Sequence, residues 1–417
     1  MARRERGFTL FNMTDSGAAA TIPMNAHSPL RCAPVLSPLH SGIGVGTFLA
    51  LHVLAATFPL TAGFIIFGWR AVGTAGAVIF STLATASIWK RIGWRGGQIR
   101  LTHCVWSAIL LSLMLPPHLF TTQLYHGQTV WPLLIAAGVT LGILCWLLGG
   151  VGAQRVQPAV AAIIFLFALF HDILTPRYVL KADHLIVGDV MRADPVEQTL
   201  SSKDPWINTR SSNPFDSIQM EPPADRLLAY TSAQRRPDRS SLTVQMLIRD
   251  QMPPLEDLIV GGQSTAIGNG SGIAVIIGGL FLLYRGLIDF RIPLLGVIAA
   301  MVALLILPIP VIITDNGNDW RWLAFREHYL GWPTAITLVN YEILASPLLL
   351  TFFFLANAPG LRPITRRGRS IFGICLGVLA AVLQLYVSSS IGPYVALMIV
   401  SLITPLLDRV LRPRTLV

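Results

Sequence analysis

Residues 261–272 read Gly-Gly-Gln-Ser-Thr-Ala-Ile-Gly-Asn-Gly-Ser-Gly, with five glycines and three hydroxyl residues in twelve positions. Such a stretch cannot hold a lipid-facing helix, because unwound backbone at membrane depth survives only beside protein or a cavity. One reading is a broken segment lining a site, where Ser264, Thr265, Asn269 and Ser271 offer hydrogen bonds to a bound group. The other is a flexible lead-in to the helix that follows. It is not a dinucleotide fingerprint, since the GxGxxG spacing is absent and no strand precedes it. A second interruption, LLGGVGAQRVQPAV at 147–160, sets Gln154, Arg155, Gln157 and Pro158 among glycines in apolar surroundings.

Ionisable residues near apolar runs are few: His52, His103, His171, Asp172 and Asp289. A charge inside hydrocarbon costs about 2.5–3.5 kcal/mol on insertion scales, so each is a site candidate. His171 and Asp172 end an apolar run and read as a solvated, snorkelling pair. A b-type haem needs two facing histidines, and nothing in the spacing of His52 and His103 supports one. Cys32, Cys104, Cys145 and Cys375 are widely spaced and form no CxxC pair. They read as small buried hydrophobes, with no metal ligands expected from this chain alone. Ser240-Ser241-Leu242-Thr243, taken alone, is a helix N-cap before Val244–Arg249.

The elements that must position these residues follow from composition. The chain is 53% hydrophobic and 12% charged, with a mean hydropathy of +0.61. Soluble domains carry about 25% charged residues, so a large aqueous core is excluded and a polytopic membrane protein is expected. Two apolar blocks, 43–174 and 272–410, hold about ten segments of spanning length. We place them at 43–66, 70–89, 102–116, 129–149, 158–174, 272–288, 291–314, 332–356, 370–389 and 393–410.

The net charge of +10 does not point to nucleic acid, because the basic residues cluster at span ends. Lys90, Arg91, Arg95 and Arg100, then Arg285 and Arg291, then Arg362, Arg366, Arg367 and Arg369, then Arg409, Arg412 and Arg414 all fall on one side. Arg3, Arg4 and Arg6 join them, and the positive-inside rule puts both termini in the cytoplasm. The expected division is a disordered tail 1–36, a membrane repeat 37–174, an extracytoplasmic loop 175–257, a second repeat 258–411 and a short tail 412–417. Within the loop, 175–200 has enough apolar residues to pack on the membrane surface, and 201–240 reads as loop. Interruptions in both blocks suit an all-α bundle of two inverted five-helix repeats.

Several stretches carry a resemblance. SPLHSGIGVGTF through FPLTAGFIIFGW in 37–69, LLGGVGAQRVQPAVAA, and PPLEDLIVGGQSTAIGNGSGIAVIIGGLFLLYRGLIDFRIP resemble segments of one family, as does FFFLANAPGLRPITRRGRSIFGI at 352–374. That is the RnfD/NqrB family, whose members serve in the Rnf electron-transport complex and in the sodium-pumping NADH:quinone reductase. The resemblance covers most of 37–411. It implies a ten-span flavoprotein subunit of a redox-driven ion pump in a bacterial inner membrane. The family carries FMN by a phosphoester on a threonine of an outward loop, in a Ser/Thr-Gly-Ala-Thr motif. Thr243 falls at that position and Ser240 matches the first hydroxyl, with Ser241 for Gly and Leu242 for Ala.

The resemblance also implies a non-covalent riboflavin held by Ser264, Thr265, Asn269 and Ser271. The implied partners are the complex's other subunits, including a periplasmic-facing FMN carrier, and the coupled ion is Na+ or H+. Asn357-Ala358-Pro359 replaces the family's Thr-Asp-Pro, removing a carboxylate, and 154–158 keeps a single proline of the family's paired turn. The competing readings are a flavin-free transporter or channel-like protein, and a scaffold subunit of a redox complex.

Overall fold

The computed structural model describes residues 44–92, 100–120, 124–125, 128–149, 154–175, 178–181, 194–195, 217–220, 223–231, 242–243, 252, 255–261, 265–314, 317–322 and 332–411. The expected tails at 1–36 and 412–417 lie outside these residues. So do Cys32, Arg95, Ser240 and Ser264.

The first block forms α1 (Val45–Phe67), α2 (Trp69–Ile92), α3 (Leu101–Met114), α4 (Pro132–Leu147) and α5 (Pro158–Leu174). Prolines open α4 and α5, where a missing N–H costs nothing and the fixed φ suits a first turn. In the loop region follow α6 (Pro223–Thr231) and α7 (Leu255–Val260). The second block forms α8 (Gly272–Tyr284), α9 (Arg291–Ile306), α10 (Trp332–Ala345), α11 (Leu348–Leu355), α12 (Arg366–Tyr386) and α13 (Gly392–Val410). Thr365 caps α12 by accepting a hydrogen bond from the Gly368 N–H at 3.0 Å.

Among the described residues four helices, α1, α2, α12 and α13, are long and apolar enough to cross a membrane. The pair α10–α11, bent by 63°, makes a fifth crossing if counted as one, and α3, α4, α5, α8 and α9 are shorter apolar helices. Exposed Phe80, Ile143, Leu280, Ile298 and Leu402 stud their outer surfaces. That is the distribution of a helix bundle solvated by lipid rather than water. The chain is a mostly helical, polytopic membrane protein.

The expected span 291–314 stops early. Its helix ends at Ile306, and Pro308–Thr314 is a strand. Proline at 308 and 310 and the β-branched run after them override an apolar pattern that hydropathy cannot tell from helix. The expected span 332–356 breaks at Ser346–Pro347, and its second piece ends in a π turn over Thr351–Leu355. The stretch 201–240 is not wholly loop, since Ser217–Met220 is a strand and Pro223–Thr231 a helix that buries Ala224 and Leu227.

Three small antiparallel sheets lie outside the helices among the described residues. They are β1 (Leu124–Tyr125) with β2 (Gln128–Thr129); β3 (Tyr178–Lys181) between β4 (Asp194–Pro195) and β5 (Ser217–Met220); and β7 (Pro308–Thr314) between β6 (Leu242–Thr243) and β8 (Gly317–Trp322).

The two blocks pack by the same device. Gly138 and Gly142 of α4 lie against α2, where an added Cβ would meet the Val78 carbonyl at 2.8 Å and Thr85 Cβ at 2.7 Å. Gly373 and Gly377 of α12 lie against α9, where a Cβ would meet the Ile292 carbonyl at 3.1 Å and Ala299 Cβ at 2.9 Å. Both are GxxxG pairs, which let helix backbones close on each other where no hydrophobic drive exists in lipid. Between the blocks, Gly278 of α8 meets α1 the same way, 2.7 Å from the Ala55 carbonyl.

Candidate functional site

The helix interruptions converge. After α3, the chain turns at Leu115, whose carbonyl accepts a hydrogen bond from the Ile267 N–H at 3.1 Å. Ile267–Asn269 is a single 3-10 turn, fully enclosed. Gly268 sits where a Cβ would be 2.8 Å from the Leu113 carbonyl, and Gly63 of α1 where it would be 2.8 Å from that of Ile267. The glycines of 265–271 are thus needed for close approach, and the segment is buried backbone rather than a flexible lead-in.

Against it lies a small cavity of about 30 Å³, lined by residues that include Thr265, Asn269, Pro347, Ser390 and Tyr394. The Tyr394 hydroxyl is buried with no hydrogen-bond partner. Of the expected site residues, Thr265 and Asn269 therefore reach this cavity. Ser271 spends its hydroxyl on the Ile259 carbonyl at 3.2 Å, tying the end of α7 to the start of α8. Ser264 lies outside the described residues. A cavity of this size has room for a water or two, not for a tricyclic ring. As they stand, these residues do not fit a bound riboflavin.

One turn before the α10–α11 break lies a residue that sequence reading missed. Glu342 is buried at 4% exposure, and Gln384 of α12 donates to its Oε2 at 2.6 Å and to its backbone carbonyl at 2.8 Å. No basic side chain pairs with Glu342 among the described residues. Gln384 Oε1 has no partner. The signal was available, since Glu342 is the lone acidic residue in the apolar run 332–356. A carboxylate enclosed in a membrane helix without a counter-charge is expensive, and it is retained where an ion or proton uses it.

Farther along the chain, Asn357 is fully buried just past the π turn. Its Nδ2 donates to the Phe352 carbonyl at 2.8 Å, and its Oδ1 has no partner. Asn357, in the place of the family's threonine, therefore caps the end of α11 and leaves an acceptor free, while Ala358 stands where the carboxylate was expected. In the first block, Gln154 donates to the Gly149 carbonyl at 2.6 Å, and Gln157 is buried with both amide atoms unpartnered.

His52 and His103 both pack on the Trp106 indole, at 6.0 and 5.7 Å between ring centroids. His171 is exposed, as a solvated residue would be. Two of the cysteines are buried as expected, and one is not. Cys375 is exposed, whereas Cys104 and Cys145 are buried together with His103.

Thr243 lies on β6, an edge strand pairing Thr243 with Ile312 and Leu242 with Ile313. Leu242 and Thr243 are therefore extended, and the helix expected over Val244–Arg249 lies outside the described residues. Because β7 follows the C-terminus of α9, Thr243 is held at that end of the bundle. The opposite end, where α9 begins, carries the basic turns. There Arg369 Nη1 donates to Asp289 Oδ2 at 3.0 Å, Asp289 Oδ1 accepts from the Arg291 N–H at 3.2 Å, and Arg362 donates to the Leu287 carbonyl at 3.3 Å. Burial alone would raise the Asp289 carboxyl, but these hydrogen bonds and the charge of Arg369 outweigh it and hold it below the usual carboxylate range.

Curated relatives cover nearly the whole chain. One is similar over 88% of this chain and 93% of its own length at 24% identity: the D subunit of the ion-translocating oxidoreductase complex of Aeromonas hydrophila. The protein of that name from Stutzerimonas stutzeri is 26% identical over 88% of this chain and 90% of its own. The D subunit of the Na(+)-translocating ferredoxin:NAD(+) oxidoreductase complex of Acetobacterium woodii is 22% identical over 87% of this chain and 88% of its own. The NQR2, RnfD, RnfE family model matches residues 37–417, and the chain belongs to that family.

Proposed function

We propose that this chain is an inner-membrane subunit of an ion-translocating electron-transport complex of the Rnf type. It works beside the complex's other subunits, including a periplasmic-facing FMN carrier, and passes Na+ or H+ through its own bundle. The family match over 37–417 carries this reading. The four long helices, the bent pair and the five shorter ones are read as ten crossings in two inverted five-helix repeats. The paired glycine crossings α2–α4 and α9–α12 support that symmetry, because each joins the second and fourth helix of its block. Both termini are then cytoplasmic, with the turns tied by Asp289 and Arg369 on that side and Thr243 outside.

Glu342 is the ion's waypoint in this scheme. The enclosed carboxylate attracts a cation or binds a proton, Gln384 holds it by an amide N–H, and the bend at Ser346–Pro347 allows access from alternate sides. The water-sized cavity against Pro347 supplies the hydration that such a step needs.

Thr243 is the proposed attachment point for FMN, with Ser240 completing the motif. Among the described residues β6 is an extended edge strand, which suits a transferase that takes the motif as an extended peptide. Bound there, FMN would supply one-electron transfer, which no side chain of this chain provides. The chain's own residues hold and orient the loop, β6 being fastened to β7 beside the end of α9. Riboflavin in the bundle would need the helices around Thr265 and Asn269 to part, and no step is drawn through it.

The test is fluorescence of the denatured protein in a gel, where only covalent flavin survives. Wild type should fluoresce and Thr243→Ala should not. A complex that copurifies without flavin on this chain would support a scaffold, and a chain isolated with no redox partner would support a flavin-free transporter.

A further inference from the structure

We propose that His103, Cys104 and Cys145 form a binding site for a divalent thiophilic ion, zinc by its chemistry, which staples α3 to α4. His103 and Cys104 stand in the first turn of α3, and Cys145 in the last turn of α4. Their ligand atoms all lie within 4.8 Å of one another. A tetrahedral zinc ion with sulfur at about 2.3 Å and nitrogen at about 2.0–2.1 Å needs its ligands only slightly closer, a change that side-chain rotation supplies.

All three side chains are buried, at 3%, 0% and 3% exposure, and the fourth position of a tetrahedral ion is left for a small ligand such as water. His103 Nε2 has no hydrogen-bond partner in a surrounding where unpaired polar atoms are costly. Ser107, one turn along α3, is likewise buried, with no partner for its hydroxyl among the described residues. Charge decides the class of ion. Two thiolates and a neutral imidazole around a divalent cation sum to zero, the only total that a low-dielectric interior holds without a further counter-charge. Monovalent copper, equally thiophilic, leaves one negative charge over. Sequence reading misses the site because its ligands come from separate helices.

Binding displaces the two thiol protons to water, so uptake strengthens as pH rises. The experiment uses the full-length protein, purified anaerobically in detergent with any affinity tag removed. Zinc content is measured by mass spectrometry, and cobalt(II) is then titrated as a spectroscopic stand-in. The expected result is about one zinc per chain and a cobalt spectrum with sulfur-to-metal charge transfer. Cys104→Ser, Cys145→Ser and His103→Ala should each weaken uptake at least tenfold, while Cys375→Ser, at an exposed position outside the cluster, should match wild type. Zinc below a tenth of an equivalent, a cobalt spectrum with no sulfur character, bound copper in place of a divalent ion, or a Cys104–Cys145 disulfide in the isolated protein would each overturn the proposal. The wild-type spectrum decides by itself if a variant fails to fold.

Discussion

The two membrane blocks share a packing scheme and differ in what they enclose. In the first, α4 closes on α2 through Gly138 and Gly142; in the second, α12 closes on α9 through Gly373 and Gly377. The polar groups held by the third helix of each block are unlike. In α3 they are the soft ligands His103 and Cys104, grouped with Cys145 of α4. In α10 it is Glu342, a carboxylate held by Gln384 beside a bend of 63°. Similar glycine crossings thus accompany a cluster of soft ligands in one block and a carboxylate beside a helix bend in the other. The proposed ion path runs through the second, because there an enclosed carboxylate lies one turn from a break in the helix.

The shared crossings can be broken directly. Gly138→Leu and Gly377→Leu each force a side chain into backbone contacts under 3 Å, and overpacking of this kind costs roughly 1–3 kcal/mol or more. Both should sharply reduce monodisperse protein in detergent, whereas Gly76→Leu, with nothing within 4 Å, should not. A tolerated Gly138→Leu beside an intolerant Gly377→Leu would break the equivalence of the two blocks.

Two buried glutamines sharpen the contrast. Gln384→Leu strips Glu342 of its amide donor, leaving an enclosed carboxylate unsatisfied at a cost of about 1–3 kcal/mol in thermal unfolding. Gln157→Leu removes an amide with no partner on either atom, so its stability should be unchanged or higher. Equal losses from both would show that Gln157 has a partner not present in the isolated chain.

The basic end gives the smallest effect. Asp289 is held below its ordinary value, so its contribution is complete above the unfolded-state pKa of about 3.9 and is lost as pH falls through the folded value. Asp289→Asn should therefore lower thermal stability by about 1 kcal/mol or less at pH 6, with the gap from wild type narrowing toward pH 3. A gap that widens as pH falls would contradict the sign.

Much of this was legible in the chain. Pro158 set the start of α5 to the residue, and the glycines of 261–272 announced broken backbone. The basic clusters placed the turns at 285–291 and 362–369 on one side, and the Asp289–Arg369 pair joins those two turns. What was not legible had physical causes. Apolar Pro308–Thr314 looks like the end of a helix because lipid-compatible strands and helices share composition. Cys104 and Cys145 meet only because α3 and α4 pack, and no local spacing encodes that. Glu342 was overlooked inside an apolar run whose interrupting Ser346–Pro347 gave its own warning. Thr265 and Asn269 were found as cavity residues, while Ser271 turned out to be spent on backbone.

The decisive measurement is ion uptake by proteoliposomes holding the whole complex, with sodium and proton movement followed separately while electron transfer is driven. With Glu342→Gln in this chain, electron transfer should continue while uptake of the coupled ion falls at least tenfold. Uptake that stays at the wild-type level per electron would contradict a role for Glu342 in the ion's path.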